Sequence, residues 1–254
     1  MLSKRKNRKR QDAGPSAEIR KTMGGNLSFA AAEAYKLLRT NLEFSLPDEA
    51  GCKVIGITSA LRGEGKSTTS VNLAYSIAET GKKVLLMEGD LRLPTLAKRL
   101  GINAQPGLSN LLAGQCSGGQ ILQSSRLQPN MWVCTAGSVP PNPAELLGSK
   151  QMAITVKTLS GLFDAIVIDL PPITVVSDAV IVSRLVSGMV VVVRQDCCDR
   201  ESLDSLVRQL RFAGSKILGF VMAGSDARKR GRRHYGRDCG DYEKLSTEPE
   251  GCVK

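Results

Sequence analysis

The apolar run Val54-Ile55-Gly56-Ile57-Thr58 leads almost directly into Ala60-Leu61-Arg62-Gly63-Glu64-Gly65-Lys66-Ser67-Thr68, and a helical stretch follows. A strand, a glycine-rich turn and a helix in that order form a phosphate-binding loop. Gly63 and Gly65 leave room for backbone N–H groups of residues 63–68 to wrap phosphates. Lys66 brings a mobile cation to the β- and γ-phosphates, and Ser67 brings a hydroxyl to a metal ion. The helix that starts here points the positive end of its dipole at the same anion. The ligand expected is therefore a nucleoside triphosphate with magnesium, ATP/ADP and Mg2+. The usual pattern has glycine where Ala60 stands. A Gly-Lys-Ser can arise by chance in a loop, but the strand before it and the helix after it argue against that here.

Strands are expected at 53–58, 83–88, 132–135, 164–169, 189–193 and 216–222. Helices are expected at 29–44, 66–80, 94–100, 107–113, 145–159, 176–187 and 200–212. Short continuous runs such as Ile166-Val167-Ile168 mark strands buried on both faces, which argues for a parallel sheet covered by helices. The fold class expected is α/β: a three-layer α/β/α P-loop NTPase with a mostly parallel central sheet. Residues 1–27 are polar, basic and glycine-containing, and read as a flexible segment. Residues 28–222 form the folded body, opened by a helix capped at Ser28 and stopped near Pro47. From 223 to 254 the apolar pattern ends, and the chain reads as a flexible basic tail.

A phosphate loop needs carboxylates at neighbouring strand ends to hold magnesium and order its water. Ala165-Ile166-Val167-Ile168-Asp169-Leu170-Pro171-Pro172 is an apolar strand ending in Asp169, a Walker B pattern that the prolines terminate at once. Val84-Leu85-Leu86-Met87-Glu88-Gly89-Asp90-Leu91-Arg92 delivers a second set of acids, with Glu88 and Asp90 on one face if the strand continues. Such a pair can orient or deprotonate an incoming hydroxyl. Each acid alone is as well read as a turn residue or a helix cap; three at two strand ends beside a phosphate loop point to a site.

The net charge of +11 is concentrated at the two ends: six cations and no acid in 1–10, and again in 227–237. Those twelve account for the whole excess, so the remainder is close to neutral. Such ends suit an anionic membrane surface, at about 1 kcal/mol per cation, and peripheral membrane association is one reading of them. Solvated tails are another. Nucleic acid is disfavoured, because no aromatic residues interleave with the basic runs. No apolar run approaches the roughly 20 residues of a membrane span, and Met1–Lys6 leads into no apolar segment, so a cytoplasmic protein is expected. Seven cysteines without a C-x-x-C pair, beside the single His234, fit neither a zinc site nor a disulfide framework, and read as reduced structural thiols.

Over roughly residues 28–222 the chain resembles the cytoplasmic domain of the bacterial tyrosine kinases (BY-kinases) of capsular and exopolysaccharide systems. Residues 60–68 are similar to that family's variant Walker A, which does not insist on a first glycine. Residues 84–92 resemble its Walker A′, and 165–172 its Walker B. Gly137-Ser138-Val139-Pro140-Pro141-Asn142-Pro143-Ala144-Glu145-Leu146-Leu147 resembles a loop that general P-loop proteins lack. Glu33-Ala34-Tyr35-Lys36-Leu37-Leu38-Arg39-Thr40-Asn41 resembles the helix through which family members assemble into rings.

The resemblance implies transfer of the γ-phosphoryl group of ATP to tyrosine hydroxyls, on protein substrates and on the chain's own tail. Lys66, Glu88, Asp90 and Asp169 are then catalytic, with Glu88 the candidate base. Arg62, Gly63, Glu64, Gly65, Lys66, Ser67 and Thr68 bind the nucleotide, and Ser67, Asp90 and Asp169 hold the metal. Glu33, Lys36 and Arg39 would join subunits, and Tyr235 and Tyr242 would accept phosphate in trans. The implied partners are other copies in a ring, a transmembrane polysaccharide co-polymerase that activates the kinase at the inner face of the plasma membrane, tyrosine-bearing substrates and a cognate phosphatase. Two departures stand out. The first Walker A′ acid is usually aspartate, and here it is Glu88, one methylene longer. The tail has two tyrosines where the family carries a cluster. The competing reading is a MinD/ParA-type ATPase switch that binds membrane or DNA without kinase activity. Those proteins carry a signature lysine near the loop start, where this chain has Leu61. A third is an assembly protein that binds ATP without efficient transfer.

Overall fold

The computed structural model describes residues 22–46, 51–195 and 197–224. Seven strands build one sheet: β1 (Lys53–Ser59), β2 (Val84–Glu88), β3 (Gln123–Ser124), β4 (Met131–Cys134), β5 (Ala165–Asp169), β6 (Gly188–Arg194) and β7 (Ile217–Ala223). Their order is β3-β4-β2-β5-β1-β6-β7. All pairings are parallel except β3 with β4. The α/β class and the mostly parallel sheet are as expected. The antiparallel edge was not: β3 is two residues long and carries no alternating pattern.

The helices are α1 (Phe29–Ser45), α2 (Lys66–Ala78), α3 (Leu96–Leu100), α4 (Leu108–Leu112), α5 (Pro143–Leu147), α6 (Lys150–Ser160), α7 (Asp178–Val182) and α8 (Arg200–Phe212). The helix expected over 145–159 is two helices. Gly148 ends α5, and Ser149 caps α6 by accepting a hydrogen bond from the Met152 N–H. The helix expected over 176–187 keeps only five residues.

The sheet is buried on both faces, as its continuous apolar strands require. One core holds Leu85, Met87, Ile166, Ile168, Met189 and Val191 under α4 to α8. The other holds Ile55, Ile57, Leu86, Val167, Val190 and Val192 under α1 to α3. Alternate residues of each strand serve opposite cores, which makes the three layers.

Residues 22–27, expected in the flexible segment, pack on α2. The Gly24 N–H donates to the Asn72 side-chain oxygen at 2.9 Å, and the Asn72 amide donates to the Thr22 carbonyl at 2.9 Å. Met23 is buried in the core beneath. The folded body thus starts before residue 28. The five cysteines among the described residues are all free. No helix among them is long and apolar enough to cross a membrane.

One buried group lacks a partner among the described residues: the Thr155 hydroxyl on the inner face of α6. Thr155→Val removes that unsatisfied hydroxyl at nearly constant shape, and is expected to stabilise the fold by about 1 kcal/mol. Urea unfolding followed by circular dichroism measures it; a loss of stability would show that the hydroxyl has a partner in solution.

Candidate active site

The phosphate loop joins β1 to α2. Gly63 and Gly65 have φ of 81° and 98°, in the left-handed region where a side chain is strained. The loop is braced from behind. Glu64 is fully buried; its carboxylate accepts the Leu61 N–H at 2.6 Å and the Arg194 N–H at 3.3 Å. The Arg194 guanidinium donates to the Gly63 carbonyl at 3.1 Å. The Thr174 hydroxyl donates to the Ala60 carbonyl at 2.6 Å. Glu64 therefore offers a ligand only its backbone, and its side chain shapes the loop. Arg62 is exposed; Lys66, Ser67 and Thr68 are half-buried on the first turn of α2.

Parallel register then sets the acids. Asp169 of β5 stands beside Ile57 of β1 on one side and Glu88 of β2 on the other. Asp169 is buried and accepts from the Ser70 hydroxyl at 3.1 Å. Burial pushes its carboxyl up; the Lys66 ammonium and the Ser67 and Ser70 hydroxyls pull it back, and Asp90 pushes it up again. Lys66, Ser67 and Asp90 thus all act on the Asp169 carboxyl. Ser70 was missed. Its signal was present, three residues past Ser67 and so on the same face of the helix.

Glu88 behaves differently from its expected role as base. It is 1% exposed. One oxygen accepts the N–H groups of Thr95 and, at 2.7 Å, Leu96, where α3 begins; the other accepts the Ala136 N–H at 3.2 Å, where the chain leaves β4. Burial raises its carboxyl, the three N–H groups lower it, and Asp169 adds to the rise. The side chain is a brace between three segments, with both oxygens engaged by backbone N–H groups.

Asp90 is half-buried and more open to the sheet edge. It accepts the Leu93 N–H at 3.0 Å. The residue between the two acids must be small: a Cβ on Gly89 would lie 2.8 Å from Leu170 Cδ2, while the Gly89 N–H donates to the Asp169 carbonyl at 2.8 Å. Arg92, which closes the motif, forks onto Asp178 at 2.8 and 3.0 Å.

A cavity of about 610 Å³ adjoins the loop, walled by Gly65, Thr68 and Arg194, by Tyr35 of α1 and by Val221 and Ala223 of β7. A larger one, about 770 Å³, opens at the opposite edge of the sheet near Arg39, Lys82 and Phe163. It touches none of the phosphate-loop residues, so chemistry and not size identifies the site. On α1, Glu33 pairs with Lys36 at 2.7 Å within the helix, and Arg39 donates to the Ser76 carbonyl of α2 at 2.6 Å. Tyr235, Tyr242, His234 and both basic runs lie outside the described residues.

A phosphate loop, a Walker B aspartate and a second acidic strand end on this sheet define a P-loop nucleoside-triphosphatase fold. The AAA domain family matches residues 52–213. The chain is 38% identical over 204 residues to the tyrosine-protein kinase YwqD of Bacillus subtilis, covering 80% of this chain and 85% of that one. It is 35% identical over 191 residues to the tyrosine-protein kinase CpsD of Streptococcus agalactiae, covering 75% and 82%. Among solved structures, the kinase domain of the Escherichia coli tyrosine kinase ETK is similar with a TM-score of 0.77 and 30% identity, over 87% of this chain and 84% of that one. The cell-division protein MinD of Pyrococcus horikoshii, complexed with Mg-ADP, is similar at 0.59 and 26%, over 70% and 73%. The chain belongs to the bacterial tyrosine kinases. The likeness to the ATPase switches is the weaker of the two, and that alternative is not favoured.

Proposed function

We propose that the chain transfers the γ-phosphoryl group of ATP to tyrosine hydroxyls, including Tyr235 and Tyr242 of a neighbouring copy. The observation that supports this reading is the register of β2, β5 and β1, which puts Asp169 beside Ile57 of the strand leading to the phosphate loop and beside Glu88, two residues before Asp90. The N–H groups of residues 62–68 hold the triphosphate, and the cavity beside Thr68 takes the nucleoside. Lys66 neutralises charge that develops on the transferred oxygens. Ser67, Asp169 and Asp90 offer hard oxygen donors of the kind magnesium prefers; when bound there, magnesium neutralises the β- and γ-phosphates. Asp90, not the fully engaged Glu88, takes the phenolic proton as the new P–O bond forms and the bond to the β-phosphate oxygen breaks.

Mg-ADP in MinD supports the nucleotide and the metal, and the names of the relatives support tyrosine as the acceptor. By the same resemblance the kinase works in capsular or exopolysaccharide synthesis. It assembles as a ring through α1, meets a transmembrane co-polymerase at the inner face of the membrane, and is reset by a phosphatase. Arg39, tied to Ser76, holds α1 on its own subunit in this reading, leaving Glu33 and Lys36 to re-pair across an interface.

Mixing two variants tests the central claim. One is Lys66→Met with an intact tail; the other has Tyr235→Phe and Tyr242→Phe with an intact site. With ATP and magnesium, phosphotyrosine is expected on the first chain only. ATP hydrolysis without phosphotyrosine on either chain would favour the ATPase switch.

A further inference from the structure

Asp90 is held loosely for a proton acceptor. Its own restraint is one turn hydrogen bond, from the Leu93 N–H. Leu91 anchors the turn in the core, but an aliphatic contact does not fix orientation. The next polar anchor is Arg92, whose guanidinium meets Asp178 through two N–H groups. Such a fork fixes both distance and plane. Asp178 is fully buried at the first turn of α7, while the Arg92 side chain is 38% exposed.

The far side of the fork is tied to the phosphate loop. The stretch from Pro171 to Asp178 follows Asp169 directly. Its Pro171 carbonyl accepts from Thr58 at 2.8 Å, and its Thr174 hydroxyl donates to the Ala60 carbonyl. Arg92 therefore links the turn that carries Asp90 to the segment bolted to the start of the loop that carries Lys66. A buried ion pair is a poor source of net stability, since apolar residues of similar size often do as well. What the pair adds here is geometry.

Resting on the kinase reading above, we infer that Arg92 and Asp178 are positioning residues for phosphoryl transfer: their fork holds the Asp90 carboxylate in register with the phosphate loop. Neither touches the reacting atoms. Catalysis is sensitive to misplacement of about 1 Å, so loss of the fork acts on turnover and leaves the phosphate loop's own hold on the nucleotide unchanged.

The test uses the full chain with Arg92→Gln and with the double variant Arg92→Met/Asp178→Leu, which replaces the pair by apolar side chains and so guards against an unpaired buried carboxylate. Both are expected to lower kcat for tyrosine phosphorylation about 10²-fold while the affinity for metal-free ADP, which the phosphate loop holds without Asp90, stays within about twofold. Hydrogen exchange at the Leu93 amide is expected to quicken in both. The inference is overturned if Arg92→Gln keeps kcat within about threefold of the parent, or if the affinity for metal-free ADP falls in step with kcat. Should the parent chain form no phosphotyrosine at all, the kinase reading fails by itself. The Leu93 exchange rate then decides the fork: faster in the variants upholds it, unchanged removes it.

Discussion

Lys66→Met is expected to lower tyrosine phosphorylation by about 10³-fold or more and to leave the fold intact. The side chain stands half-buried on the first turn of α2, and methionine keeps most of its hydrocarbon stem, so packing changes little. The ammonium has two effects that methionine cannot reproduce. In the proposed reaction it faces the triphosphate, where charge moves during transfer. It also favours the ionised form of Asp169, whose carboxyl burial already pushes up; without Lys66 that carboxyl rises further. Single-turnover kinetics with radiolabelled ATP, beside a thermal melt, measure both parts. Transfer within tenfold of the parent would remove Lys66 from the chemistry; a collapsed melt would show that its role is structural.

Glu88 is expected to respond in the opposite sense. Glu88→Ala orphans three N–H groups at once, those of buried Leu96 and Ala136 and of half-buried Thr95. The expected loss is about 3–5 kcal/mol of stability, enough to threaten a domain of this kind. Glu88→Gln keeps one oxygen for Thr95 and Leu96 but turns an amide group toward the Ala136 N–H, at a cost of about 1–2 kcal/mol. If Glu88 were the base, glutamine would lower transfer by about 10²–10⁴-fold. As a brace, the glutamine variant keeps transfer within about tenfold and loses stability instead. Denaturant melts and initial rates on both variants separate the two roles.

These contrasting residues show where sequence was informative. The phosphate loop, the Walker B strand and the paired acids lie in contiguous stretches whose spacing carries their geometry, so Lys66, Ser67, Asp90 and Asp169 could be named as candidates before any fold was known. The six longer strands were readable because each is a solid apolar run. The bracing contacts of Glu88 were not legible because its partners come from α3 and from the exit of β4, 7, 8 and 48 residues away in the chain. A strand-end acid looks the same whether it faces solvent, metal or backbone amides. Asp178 was invisible for a like reason: its partner Arg92 lies 86 residues earlier. The break between α5 and α6 was legible in principle, since Gly148 followed by Ser149 is a stop and a cap; the apolar periodicity running through it hid the interruption.

The strand order has a consequence for how the molecule is made. β5 sits between β1 and β2, yet it is synthesised after both. The Ser70–Asp169 contact spans 99 residues, so a nascent chain that has already exposed its phosphate loop still lacks the acid that faces it. β1 and β2 must wait, unpaired with each other, for a third strand to slot between them. Non-local closure of this sort slows folding, and it means that no partial chain ending before β5 can assemble the nucleotide edge. Nucleotide added during refolding should therefore bind only after that central insertion is complete.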